Sequence, residues 1–349
     1  MISHLKLLIL INWKETGKWS FLRFLNTRVC RITVLQPFPA INRVNRALAY
    51  LFSYLSDFYV PLIAFFQRDK VDVTISWQMR IGIFYGIFKR LLHIRKPPIH
   101  IIQDFHIDLT QTRWLYWMRI ALLKLSLPGI DFFCCTSTEE EAIYNRIFGI
   151  RPDRIIFLPL EPPSPYCQEV VQSRSDYIFS YGNSDRDYDT LIKAVADRNI
   201  HTVILSQQYR SGKALPKNVS LIRNRISDKE MHQWIAGSRM VIIPLTDYRI
   251  SAGQLSLLQS MSMGRPVVVT RNMATREYAV HLETAMFYDA GNSQELADHI
   301  QYLWNHEDIS EEIGKQARQI CSKFTDQRNR SFIHLLEQCN AIIQKGENR

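Results

Sequence analysis

Along this chain, short apolar runs closed by small, acidic or proline residues alternate with longer stretches whose apolar positions recur at helical spacing. Residues 5–11, 32–35, 72–77, 100–104 and 131–135 are such runs in the first half, and the segment from Gly149 to Pro159 carries another. In the second half, residues 177–182, 202–206, 219–222, 240–243 and 267–270 repeat the pattern. Runs that stay apolar rather than alternating read as parallel strands covered on both faces. A helix over residues 81–93 places Phe84, Ile87, Phe88, Leu91 and Leu92 on one face. Ser137-Thr138-Glu139-Glu140 and Ser227-Asp228-Lys229-Glu230 read as caps with acidic first turns. Further helices are expected over 294–305, led in by Ser293, and over about 327–344. Strand–helix alternation of this kind predicts an α/β protein with doubly wound sheets. Three prolines in Glu161-Pro162-Pro163-Ser164-Pro165 mark a linker, and there are no repeats or low-complexity tracts.

The most informative stretch runs from Arg239 to Arg276. Met240-Val241-Ile242-Ile243 reads as a buried strand stopped by Pro244. Ser251-Ala252-Gly253-Gln254 follows, small residues with a glycine where backbone approaches a ligand closely. Leu255, Leu257, Leu258, Met261 and Met263 then predict a helix from near Gly253 to Gly264, before the strand Val267-Val268-Val269-Thr270. A strand, a glycine-bearing loop and a helix N-terminus at a sheet's carboxyl edge suit a phosphate.

This segment resembles the nucleotide-sugar site of retaining glycosyltransferases of the GT-B fold, in particular family 4. Ser260-Met261-Ser262-Met263-Gly264-Arg265-Pro266-Val267-Val268 matches the tail of that family's pattern. The resemblance implies two Rossmann-like doubly wound domains facing each other across a cleft. Residues 1–160 would be the acceptor and membrane-facing domain, 161–176 the linker and 177–325 the donor-binding domain. A final helix over 326–349 would cross back to the first. The family carries two glutamates eight positions apart, which fall here on Ser251 and Gln259, so neither carboxylate is present.

The resemblance further implies a nucleotide-diphosphate sugar as co-substrate, with no cofactor and no metal. Its donor site would comprise Gly182, Asn183, Arg186, Ile226, Ser251, Ala252, Gly253, Gln254 and Gln259. Asn183 stands on the family's usual arginine position, which leaves Arg186 as the cation of that loop. Arg186 is expected to grip phosphate, the plain alternative being a salt bridge with its aspartate neighbours at a helix start. Gln259 would take the ribose hydroxyls, since an amide oxygen can replace a carboxylate as acceptor. Asp185, Asp187 and Asp189 imitate a D-x-D metal signature, but aspartates at a helix start need no metal. In the first domain, Asp104 and His106 sit just past a strand, where a general base or hydroxyl-recognising group belongs. Both stay open as catalytic candidates, beside Asp108 and the reading of a surface turn. The single glycine of the Asn12–Trp19 loop, Gly17, departs from the family's glycine-rich form.

A chain of 349 residues suits two domains. Residues 1–130 hold 18 Lys and Arg against 6 Asp and Glu, a net of +12, whereas residues 131–349 come to −2. The excess suits an anionic membrane, nucleic acid or an anionic substrate. Its interleaving with large apolar residues, as in Trp114, Tyr116, Trp117, Met118, Arg119 and Lys124, favours the membrane and argues against nucleic acid. Residues 48–66 are apolar but for Asp57, and they also hold Pro61. Both are costly in a spanning helix, so a helix partly buried and partly seated on lipid is expected. Six cysteines form no C-x-x-C pair, which fits a reducing compartment. The expectation is a glycosyltransferase acting on a membrane-associated glycan or lipid-linked acceptor in cell-surface polysaccharide or lipopolysaccharide assembly. It would be cytoplasmic and peripheral on the inner membrane face. A catalytically inactive GT-B partner subunit and a nucleotide-sugar 2-epimerase are the alternatives.

Overall fold

The computed structural model describes residues 2–15, 19–37, 46–92, 98–106, 113–162, 175–246 and 251–347. The chain divides into two compact units, residues 1–158 with 329–349, and residues 159–328.

The first unit runs β1 (Lys6–Leu10), α1 (Ser20–Asn26), β2 (Arg31–Leu35), α2 (Arg46–Phe66), β3 (Val73–Gln78), α3 (Met79–Leu91), β4 (Ile99–Asp104), α4 (Arg113–Ser126), β5 (Phe132–Cys135), α5 (Glu139–Phe148) and β6 (Ile155–Phe157). Its six strands pair in the order β2-β1-β3-β4-β5-β6, all parallel. Alternate residues of β1 serve the two faces. Leu7 and Ile9 join Val73, Ile75, Ile99 and Ile101 under Phe21 and Leu25 of α1. Leu8 and Leu10 pack instead on Val60, Ala64 and Phe65 of α2 and on Ile81 and Tyr85 of α3. Burial on both sides is why these strands lack polar alternation.

The apolar run with Asp57 is α2, and Pro61 lies inside it. Asp57 is 1% exposed and turns inward, paired with Arg80 at 2.8 Å and with the Asn12 amide at 3.3 Å. Burial is the main influence on its carboxyl and raises its pKa, against the lowering effect of Arg80. Tyr54, Leu55, Phe58 and Phe66 point outward. Among the described residues no helix is long and apolar enough to cross a membrane.

The second unit continues with β7 (Tyr177–Tyr181), α6 (Tyr188–Val195), β8 (His201–Leu205), β9 (Val219–Ile222), α7 (Asp228–Gly237), β10 (Met240–Ile243), α8 (Gln254–Ser262), β11 (Val267–Thr270), α9 (Thr275–Tyr278), β12 (Met286–Tyr288), α10 (Ser293–Asn305) and α11 (Glu307–Glu347). Its order is β12-β11-β10-β7-β8-β9, again all parallel. The order reverses between β7 and β10, so loops leaving these neighbouring strands diverge at their carboxyl ends. That is where an open α/β sheet leaves a crevice for a ligand.

The last helix is longer than the expected 327–344, because α11 runs unbroken from Glu307. Gly314 does not stop it. A Cβ there would strike the Gly264 carbonyl oxygen, so the glycine serves close packing inside the helix. The end of the helix gives Phe332, Leu335, Leu336, Cys339 and Ile343 to the core of the first unit.

Candidate functional site

At the switch point of the second unit, the loops after β7 and β10 are tied together. Asp187 N donates to the Pro244 carbonyl at 3.0 Å, Thr246 N donates to the Asp185 carbonyl at 3.1 Å, and Arg186 bridges Leu245. Gly182 takes φ +123° at the end of β7, which a side chain would resist. A Cβ there would also meet the Arg186 guanidinium.

Arg186 lies between these loops and α8. Its Nε donates to the Tyr181 carbonyl at 3.1 Å, Nη1 to the Ser184 carbonyl at 2.8 Å and Nη2 to Ser256 Oγ at 2.8 Å. Burial lowers its pKa, but an arginine remains charged. The alternative of an aspartate salt bridge is therefore not what holds it. Three of its five N–H groups brace the loop and the first turn of α8, and its charge sits beneath Gly182.

Asn183 faces another way. Its Oδ1 accepts from Ser206 Oγ at 3.1 Å, Gln207 N at 2.9 Å and Gln208 N at 3.3 Å, fixing the loop after β8. Asp187 caps α6, accepting from Thr190 N at 3.0 Å, and Asp189 accepts from Tyr209 Oη at 2.6 Å. These contacts account for Asp187 and Asp189 without a metal. Among the described residues no His, Cys, Asp and Glu side chains gather as a metal-ligand set.

Helix α8 starts at Gly253, which has φ +87° and no side-chain cap. The positive end of this helix thus lies in the connection that follows β10, at the switch point. Gln254 is buried and turns back to donate to Ser251 Oγ at 2.7 Å. The Ala252 carbonyl accepts from buried Asn272 Nδ2 at 3.2 Å. Gln259, one turn on, does not present its amide oxygen unengaged. Oε1 accepts from Tyr181 Oη at 3.0 Å, and burial pushes that phenol's pKa up. The amide N–H groups and the second oxygen lone pair are what Gln259 has to offer a ribose. Ile226 is half-buried beyond β9, just before α7, where Ser227 and Glu230 complete the expected capping box.

Gly182, Arg186, Ala252, Gly253, Gln254 and Gln259 thus belong to one hydrogen-bonded assembly, while Asn183 and Ile226 flank it. Tyr181, Ser256 and Asn272 are further parts of the assembly that the sequence patterns did not single out.

In the first unit, Asp104 ends β4 and is exposed, with His106 two residues on. His106 Nδ1 lies 3.4 Å from Oε1 of Glu140, a carboxylate 3% exposed. Glu140 departs from expectation. The N-cap of α5 is Thr138 with no side-chain cap bond, and Ser137 Oγ instead accepts from Glu139 N at 3.3 Å. Glu140 Oε2 takes the N–H groups of Thr136 and Ser137, both at 3.1 Å. Asp108 lies outside the described residues.

Residues 187–306 match the model of the family described as glycosyl transferases group 1. No curated protein sequence matches the chain. Among solved structures the chain is similar to Anabaena HepE in complex with UDP and glucose, at 15% identity and TM-score 0.65, covering 96% of this chain and 100% of that one. It is similar to sucrose-phosphate synthase from Thermosynechococcus elongatus, at 12% identity and TM-score 0.69, covering 97% and 100%. A glycosyltransferase from Rickettsia africae follows at 13% identity and TM-score 0.63, covering 96% and 98%. The fold so defined is the GT-B fold. Within it, the second unit carries the group 1 segment.

Proposed function

We propose that this chain transfers a sugar from a UDP-linked donor, held by the second unit, to a hydroxyl of a membrane-associated glycan or glycolipid acceptor. The observation that carries the reading is the switch point between β7 and β10, where the uncapped start of α8 and the half-buried Arg186 charge meet. A diphosphate placed there receives backbone N–H groups and a positive charge, which stabilise the leaving group as the C1–oxygen bond breaks. No metal is required for that stabilisation. The new bond joins C1 to the acceptor oxygen, and the acceptor proton goes to the departing phosphate. Ser251 and Gln259 supply no carboxylate nucleophile, so transfer proceeds with retention in one displacement on a single face rather than through a covalent sugar–enzyme intermediate. Asp104 and His106 orient substrate hydroxyls. The choice of UDP follows the UDP-bound Anabaena neighbour.

The acceptor is brought by a membrane surface. Exposed Leu91, Trp114, Trp117 and Met118 lie on helices that also carry Arg90, Arg119 and Lys124. Aromatic and basic side chains mixed in this way suit an anionic interface, with the protein peripheral on the cytoplasmic face. This setting fits cell-surface polysaccharide assembly.

Calorimetric titration with UDP, GDP and ADP tests the donor site. Micromolar binding of UDP above the other two is expected (about 8 kcal/mol at 1 μM). If none of the three binds, the better reading is a catalytically silent GT-B partner subunit, which the missing glutamates at 251 and 259 would then explain.

A further inference from the structure

β12 lies at the edge of the second sheet, and the tight turn that leads into it, residues 280–285, is fastened to it by a side chain. Phe287 N donates to His281 Nδ1 at 2.9 Å, and the two rings lie nearly parallel with centroids 6.0 Å apart. The Phe287 carbonyl accepts from His299 Nε2 on α10 at 3.1 Å. Two histidines thus engage both backbone groups of one edge residue. The same turn holds Leu282 at φ +67°, a left-handed backbone that a leucine resists. Leu282 N donates to the Ala285 carbonyl at 2.9 Å, and the Val280 carbonyl accepts from the N–H groups of Glu283, Thr284 and Ala285.

We propose that His281 is an acid-sensitive latch on this edge: the neutral ring holds the turn against β12, and protonation releases the Phe287 N–H and lets the turn open. A backbone N–H can only donate, so Nδ1 must bear the lone pair and the ring proton sits on Nε2. A second proton would have to enter at Nδ1, where it would face the Phe287 N–H and abolish the bond. His299 differs, because its Nε2 already donates to a carbonyl, a bond that survives whether the ring is neutral or charged. Charged and titratable groups on the adjoining elements are Arg271 after β11, Asp289 after β12, Arg276 and Glu277 on α9, Glu295, Asp298 and His299 on α10, and Glu283 in the turn itself. Arg271 pairs with Asp289 at 3.4 Å, and the His281 and His299 ring centroids lie 6.0 Å apart. Burial, then Arg271 and His299, lowers the His281 pKa from its ordinary 6.5, against the raising effect of Glu295. In the opened turn the ring regains the ordinary value, so the latch is complete above about pH 6.5 and loosens as pH falls. Relief of the backbone strain at Leu282 favours the same opening. The latch lies within the second unit and does not depend on the glycosyl-transfer reading.

The test combines ¹⁵N NMR of the His281 ring, assigned through its nuclear Overhauser effects to Phe287, with hydrogen exchange of the Phe287 amide in the full chain. Both are followed as pH is lowered from about 7.5 to about 5, across the ordinary histidine range. At the upper end His281 is expected to show a bare Nδ1 and a protonated Nε2. Below about pH 6.5, Phe287 exchange, corrected for its intrinsic pH dependence, should quicken by up to about tenfold per pH unit, because the open turn binds one more proton. The amide of Ile242, in the central strand β10, should keep its corrected rate over the same range. In His281→Asn, Oδ1 stands where Nδ1 stood and does not titrate, so the acid-induced quickening should vanish. A protonated Nδ1 at neutral pH would overturn the proposal. So would a Phe287 profile that stays flat through the His281 titration, or one that Ile242 matches, since that would be global unfolding. Quickening that persists in His281→Asn would place the titrating group elsewhere and overturn it as well. If that variant fails to fold, the wild-type ring spectra and the two exchange profiles decide the matter by themselves.

Discussion

Replacing Gly253 with alanine tests whether the start of α8 is the phosphate-binding element. The backbone there has φ +87°, and a Cβ would sit 2.9 Å from Leu245 Cδ1 and 3.3 Å from Cδ2. The left-handed conformation costs a non-glycine residue about 1–2 kcal/mol. Leu245 is 1% exposed and has little room to withdraw, so crowding adds on the order of 1 kcal/mol. The entropic gain that alanine brings elsewhere does not offset strain at an incompatible φ. A total of about 2–3 kcal/mol, at roughly 2–4 °C per kcal/mol for a unit of this size, lowers its thermal midpoint by about 5–10 °C. Relief of the strain re-aims the first N–H groups of α8, and UDP affinity falls at least tenfold (about 1.4 kcal/mol). Differential scanning calorimetry and UDP titration read the two effects, with Gly212→Ala as comparator because nothing lies within 4 Å of its added Cβ. A midpoint within about one degree of the comparator's, with unaltered UDP affinity, would refute both the strain and the role given to this turn.

Two further outcomes follow from the first unit. His100 is fully buried between Ser76 Oγ at 2.9 Å and the Gly129 carbonyl at 3.1 Å, and burial, then Lys89, lowers its pKa to about 3. Between its unfolded value near 6.5 and that folded value, only the unfolded chain takes up the proton. Its contribution is therefore intact above about pH 6.5 and declines by up to about 1.4 kcal/mol per pH unit as pH falls. The urea midpoint of the first unit should fall over that window more steeply than in His100→Gln, and parallel curves would exclude it. For the membrane face, Trp114→Ser with Trp117→Ser removes rings 74% and 61% exposed and should weaken sedimentation with phosphatidylglycerol vesicles while sparing UDP binding. Equal sedimentation of wild type with neutral vesicles, at low and high salt, would show that anionic lipid is not the partner.

The strands were readable because parallel strands buried on both faces leave unbroken apolar runs, as residues 240–243 and 267–270 show. The turn at Gly253 was readable because a glycine between a strand and an amphipathic run has few other uses. The partners of its neighbours were not. Arg186 is visible as a cation, but its donation to Ser256, 70 positions away, depends on tertiary placement. Asn272 holds the Ala252 carbonyl from beyond the next strand, and no local pattern marks it. Glu140 read as a residue favoured by a helix dipole, and only the folded sheet brings His106 to it. The helical turns of α11 before residue 327 were not legible either, because the packing of Gly314 against Gly264 has no counterpart in sequence spacing.

The absence of both family glutamates becomes less puzzling when the charges of the site are taken together. Asn183 stands where the resemblance places an arginine, and Ser251 and Gln259 stand where it places glutamates, so one positive and two negative charges are missing. Arg186 remains, half-buried beneath Gly182, and would balance a diphosphate without a carboxylate opposing it. Gln259→Glu tests whether the amide has simply replaced the acid. Tyr181 Oη already donates to Oε1 at 3.0 Å, and a carboxylate oxygen accepts that proton equally well, so the variant should fold with an unchanged thermal midpoint. If position 259 serves ribose hydroxyls, the added acceptor should hold or tighten UDP binding. If it lies against the diphosphate instead, like-charge repulsion should weaken binding, most strongly at low ionic strength. A salt-dependent loss of tenfold or more (about 1.4 kcal/mol) would therefore move the ribose elsewhere, and with it the assignment of Gln259.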